Sequence, residues 1–223
     1  MIPIRDSQPS YVTPLVTIAL IVVNVSVFLF EVSLDPFSLN HFIAVYGATP
    51  DRLALFSVVT SMFLHGGWMH LIGNMWFLWV FGDNIEAVLG RGKYLLFFLA
   101  CGVAAALTHV YLNPLSRAPM VGASGAIAGV MGAYMVKFPR ASITTLIPIF
   151  VFFTTIEVPA YLMLLYWFAI QLFGGWGSIA QSHLSPGGGT AWFAHVGGFI
   201  AGALLILALR PHPLRDRRGV SWR

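Results

Sequence analysis

The sequence predicts an all-α membrane protein, a bundle of six transmembrane helices with both termini in the cytoplasm. Three observations carry this. Of the 223 residues, 58% are hydrophobic and only 9% are charged, against roughly 25% charged in a soluble domain. Six apolar segments approach the about 20 residues that a helix needs to cross a bilayer. The basic residues fall almost entirely in alternate connections.

The six segments run from Pro14 to about Val32, from about Trp68 to Leu89, from Tyr94 to Leu112, from near Ser124 to before Pro139, within Pro159 to Phe173, and from Ala191 to Leu209. The first is long and has no small-residue cleavage site after it, so it reads as a retained span rather than a signal peptide. The fourth and fifth are short, which a bundle tolerates where protein or a water-filled cavity surrounds their ends. Before the fifth lies "TTLIPIFVFFTTIEVP". It is β-branched and aromatic, holds Pro148, and reads as an interfacial or re-entrant connection.

Arg5, Arg91, Lys93, Lys137, Arg140 and the five arginines from Arg210 onward lie on one side, and only Arg52 and Arg117 on the other. An excess of Lys and Arg marks the cytoplasmic side. Residues 1–13 are then a cytoplasmic tail, 14–210 the membrane domain and 211–223 a basic tail. The segments opening at Trp68 and Ser124 start near the outer face. The net charge of +4 is spread over loops and forms no nucleic-acid groove. No internal repeat of the inverted-transporter kind is present. The lone Cys101 excludes an internal disulfide and reads as a small buried hydrophobe.

Polar side chains at membrane depth are functional candidates. His70 and Asn74 in "HLIGN" are four residues apart, on one helix face. They either tie neighbouring helices together or aim two donors at one oxygen. Ser124 opens the fourth segment, where first-turn N–H groups lack helical partners and the helix dipole favours negative charge. Gly125 and Gly129 follow it. His195 opens "HVGGFIAG", with Gly198 and Gly202 on nearly the same face. Such small-residue strips serve plain helix packing. Two facing strips can also bring backbones close enough for a serine on one helix to reach a histidine on the other, within the roughly 3 Å that proton transfer requires.

No acid lies at the depth of His195, so a dyad is expected rather than a Ser-His-Asp triad. Asp83 and Glu86 read as local ion-pair or capping groups. His65 and His70 diverge and lack a third ligand, so no metal site is expected, and no cofactor. His41 and His183 read as loop residues, His212 as part of the basic tail, His65 as shaping the entry to the second span. His109 reads as a possible bond to a neighbouring helix or loop.

Between Thr60 and Gly202, "HGGWMHLIGN", "FGDNIEAVLG", "GASGAIAG" and "AHVGGFIAG" follow in order on separate spans. The ordered set resembles the rhomboid family of intramembrane serine proteases. The resemblance implies a Ser124–His195 dyad. It also implies an oxyanion site from His70, Asn74, the Ser124 N–H and the N–H of Gly122. It implies that the fifth helix and the following loop gate the sideways entry of a transmembrane protein substrate from the bilayer, with Trp167 and Phe168 along the route. Two features depart from the family's pattern. Ala128 stands four after the serine, where some members carry an aromatic that stacks on the histidine. The first outer loop, Asp35 to Arg52, is short and lacks the Trp-Arg pair of some bacterial members. The alternatives are a catalytically inactive rhomboid-like protein that binds membrane clients, and a small transporter with a polar pathway. The short tails fit a prokaryotic plasma membrane. The sequence carries no signature of oligomeric state.

Overall fold

The computed structural model describes residues 2–9, 12–149, 152–181 and 191–209. His183, His212 and the tail 211–223 lie outside the described residues. Six long helices match the six apolar segments: α1 (Leu15–Ser33), α4 (Trp68–Leu89), α5 (Arg91–Leu112), α6 (Ser124–Lys137), α7 (Ala160–Gln181) and α8 (Trp192–Ala208). By length and composition, α1 and α5 are apolar enough to cross a membrane. Large side chains such as Val22 and Phe30 on α1, Leu96 on α5, Phe173 on α7 and Leu204 on α8 face outward. An apolar outer surface of this extent belongs in lipid rather than water.

Helix α6 is the hub. It has 14 residues, and Gly125 through Tyr134 are all buried. A helix apolar on every side must be enclosed on every side, and α4, α5, α7 and α8 pack around it.

The expected all-α fold needs correction. The stretch read as an interfacial or re-entrant connection forms two strands, β2 (Ser142–Ile149) and β3 (Phe152–Pro159). They pair antiparallel from Ser142↔Pro159 to Ile149↔Phe152. The residues read as an N-terminal tail supply β1 (Ile2–Asp6), which adds antiparallel to β2 and places β2 in the centre of the sheet. The β-branched residues suit a pleated, half-buried surface, with Ile143 and Thr145 turned inward. Asp6 fastens β1 to the bundle, accepting from Asn84 Nδ2 of α4 at 2.8 Å and from the Tyr134 hydroxyl of α6. Burial pushes the Asp6 carboxyl up, and the hydrogen bond from Tyr134 offsets part of that.

Glu86 is a cap, as expected, but for a distant helix. Its carboxylate accepts from the N–H groups of Val16 (3.0 Å) and Thr17 (2.8 Å) and from the Thr17 hydroxyl (2.9 Å). Pro14 precedes α1 and provides no side-chain cap, so α4 satisfies these first-turn donors instead. Glu86→Ala is expected to lower the thermal midpoint of the purified protein. Buried donors left unpaired cost about 1–3 kcal/mol each.

The connection from α1 to α4 is more ordered than a bare loop. It holds α2 (Pro36–Tyr46) and the short α3 (Ser57–Thr60). Asp35 caps α2, accepting from Phe37 N (3.0 Å) and Ser38 N (3.2 Å), with Pro36 in the first turn. Asp-Pro is a strong start signal. His41, read as a loop residue, therefore sits on α2.

Candidate active site

The starts of α4, α6 and α8 meet at one end of the bundle. They border a cavity of about 630 Å³, whose walls include His70, Asn74, Ser124, Trp167, Gln171 and His195. Glycines set the spacing. A Cβ built on Gly198 would lie 2.0 Å from the Gly125 carbonyl oxygen, and one on Gly202 only 1.9 Å from that of Gly129. Backbones this close admit no side chain at those positions, so α6 and α8 run in direct contact. Gly125 and Gly129 also face α5, where Ala105 and Cys101 fill the space against them. Cys101 is fully buried, as expected.

This contact places Ser124 Oγ 2.7 Å from His195 Nε2. His195 is 9% exposed. Its other ring nitrogen, Nδ1, is 2.7 Å from Gln171 Oε1 of α7. The Trp167 indole, one turn earlier on α7, lies 5.9 Å from the imidazole at 40°. Helix α7 thus supplies the side support that Ala128 cannot. Gln171 was not singled out from the sequence, although the signal was present. It is the only amide or charged side chain between Tyr161 and Phe173, and it shares a face with Trp167 four residues before it. Phe168 does not border the cavity but packs on Phe199 of α8 at 4.7 Å.

Across the cavity, Asn74 is 7% exposed and its Nδ2 is buried with no hydrogen-bond partner. This nitrogen lies on the Gly122 side of the cavity, 3.5 Å from where a Cβ on Gly122 would stand. His70 receives the Gly66 N–H at Nδ1 (3.4 Å), which leaves Nε2 as the protonated nitrogen. That nitrogen approaches Gly122. A Cβ there would be 2.7 Å from it, and Gly122 has φ +120. Only glycine fits that backbone and that space. Behind His70 stands the buried His65, rings 5.2 Å apart. The His65 N–H donates to Glu31 Oε2 at 3.1 Å, which ties the end of α1 to the entry of α4.

One expected donor is already committed. The N–H of Gly122 donates to Ser61 O at 2.8 Å. Two residues earlier, Met120 exchanges backbone bonds with Ala48 at 2.9 and 3.0 Å. The loop before Ser124 is held between Ala48 and the Ser61 turn, and this clamp uses the Gly122 N–H. What Gly122 gives the site is room for His70.

Fold and site together define a multi-pass membrane helical bundle with a hydrogen-bonded serine and histidine in a cavity at one end. The Rhomboid domain model matches residues 52–212, and the chain belongs to the rhomboid family. It is 29% identical over 222 residues to rhomboid protease AarA of Providencia stuartii, covering 89% of this chain and 74% of that protein. It is 31% identical over 157 residues to the mitochondrial Rhomboid protein 1 of Saccharomyces cerevisiae, covering 66% of this chain and 40% of that one. With rhomboid protease GluP of Bacillus subtilis it shares 37% over 78 residues, 35% of this chain and 15% of that protein. The chain therefore spans well under two thirds of two of these three relatives. They include mitochondrial, chloroplastic and bacterial proteins. The similarity thus supports an integral membrane protein and gives no support to the plasma membrane in particular.

Proposed function

We propose that this protein is an intramembrane serine endopeptidase that cuts transmembrane protein substrates in or near their spans. The observation that carries the proposal is the 2.7 Å contact between Ser124 Oγ and His195 Nε2, set within a cavity bordered by donors. In this reading Ser124 attacks the scissile carbonyl carbon while His195 takes the hydroxyl proton. The carbonyl oxygen gains negative charge and meets Asn74 Nδ2, His70 Nε2–H and the first-turn N–H of Ser124. His195 then passes the proton to the departing amine. Water, activated by the same imidazole, releases the acyl group from Ser124.

The same reading makes all six long helices spans, with both termini and the sheet at the cytoplasmic face. Arg91, Lys93, Lys137 and Arg140 support it, since they follow the C-terminal ends of α4 and α6, whose starts border the cavity, and Arg5 of β1 lies beside Asp83 near the end of α4. The cavity borders include Phe77 of α4 and Trp167 of α7, so the space between those helices is the path for a substrate span. Helix α7 packs chiefly on α8, and its Leu162, Leu165 and Tyr166 face outward. It can move without dismantling the α6–α8 core. A substrate must unwind locally there, because a closed helix shields its own peptide bonds.

A serine-directed fluorophosphonate is the direct test. Peptide mapping is expected to find the adduct on Ser124; a folded, detergent-solubilised protein that resists the reagent counts against the reading. Asn74→Ala is expected to slow cleavage of a single-span reporter without abolishing it. Loss of one oxyanion donor typically costs about 100- to 1,000-fold.

A further inference from the structure

The Ser–His mechanism gives Gln171 no part, yet Gln171 makes the shortest contact to the far side of the base. It is 6% exposed, and its Oε1 is 2.7 Å from His195 Nδ1. An amide oxygen only accepts, so Nδ1 carries the ring proton and donates it. Nε2 is then left with a free lone pair, directed at Ser124 Oγ 2.7 Å away. This is the tautomer that a general base needs. A neutral imidazole without such a partner divides between two tautomers, and only one of them can accept from the serine. Among the described residues no carboxylate contacts His195, so the amide stands where soluble serine proteases place an acid. The Trp167 indole, 5.9 Å from the ring, flanks it from the same helix.

Resting on the hydrolase reading above, we propose that Gln171 is a positioning residue that holds His195 in its Nδ1–H tautomer and aims Nε2 at Ser124. The neutral acceptor does this without placing a second charge in a buried site, where an unpaired carboxylate is costly. Helix α7 thereby carries part of the reacting constellation as well as a wall of the cavity.

The test uses the full chain in detergent, with histidine labelled with ¹⁵N and the His195 signals found by difference from His195→Gln. Wild type is expected to show a protonated Nδ1 and a bare Nε2 at His195. Gln171→Leu is expected to convert these to a mixture of tautomers. Its kcat on a single-span reporter should fall at least about tenfold with KM little changed, since positioned acid–base catalysis supplies roughly 100- to 10,000-fold. Gln171→Glu retains an acceptor and is expected to keep the Nδ1–H signal and more of the rate than Gln171→Leu. If Gln171→Leu fails to fold, Gln171→Met replaces the amide oxygen at nearly constant length with a thioether that accepts only weakly. Wild-type kcat and an unchanged Nδ1–H signal in Gln171→Leu, or in Gln171→Met where it stands in, overturn the proposal. That failure is distinct from failure of the hydrolase reading, which shows as full activity in Ser124→Ala.

Discussion

Ser124→Ala is expected to end both cleavage of a single-span reporter and fluorophosphonate labelling, while the yield and thermal midpoint of the folded protein stay near wild type. The hydroxyl borders a cavity rather than filling the core, so its loss opens no large void. The chemistry has no substitute nucleophile at that point. Removing a catalytic serine from a soluble serine protease costs on the order of a millionfold in kcat. His195→Ala is expected to match it, because the serine hydroxyl loses the group 2.7 Å away that takes its proton. The double variant should be no worse than either single one, since residues that act as a unit are not additive. Multiplicative losses would mean the two side chains work separately. Wild-type cleavage by Ser124→Ala would remove the enzyme assignment altogether.

Much of this geometry was legible before any coordinates. The segment read from about Trp68 to Leu89 corresponds to α4 (Trp68–Leu89), and Ser124 opens α6 as its loop-to-helix pattern indicates. These succeed because hydropathy, small-residue strips and glycine or proline boundaries are local signals. The facing of Gly125 and Gly129 with Gly198 and Gly202 was also readable, since both strips lack side chains at helical spacing. What local signals miss is pairing across the chain. The residue that β1 sets against Ile143 is Asp6, so no window around the hairpin contains its third strand, and Pro148 in β2 reads as a breaker. The Gly122 N–H fails for the same reason: its acceptor, Ser61 O, belongs to a turn that only the tertiary fold brings near. Gln171 differs. A lone amide one turn from a tryptophan in an apolar helix has the same four-residue spacing as His70 and Asn74, and an amide oxygen can orient a histidine where no acid stands.

If packing rather than sequence proximity holds the serine and histidine together, loosening α6 from α8 should disable the site without touching either side chain. Gly202→Val is expected to do this. A Cβ there would sit 1.9 Å from the Gly129 carbonyl oxygen and 2.4 Å from its carbonyl carbon. Those are backbone atoms of a buried helix, which cannot rotate aside as a side chain would, so the helices must part. Overpacking of this kind typically costs about 1–3 kcal/mol, and more where the neighbour is rigid. A displacement of even 1 Å at the Ser124–His195 contact breaks a 2.7 Å hydrogen bond. Thermal midpoint and cleavage per folded molecule are therefore expected to fall together in Gly202→Val, with Gly202→Ala intermediate. Gly92→Ala serves as the control, because nothing lies within 4 Å of a Cβ at Gly92 and alanine favours a helix over glycine by about 1 kcal/mol. It should match or exceed wild type in both measurements. A Gly202→Val protein that melts and cleaves like wild type would show that the bare strips do not set the distance between the two reacting groups. Joint loss at Gly202, set against loss of activity alone at Ser124, separates what builds the site from what reacts in it.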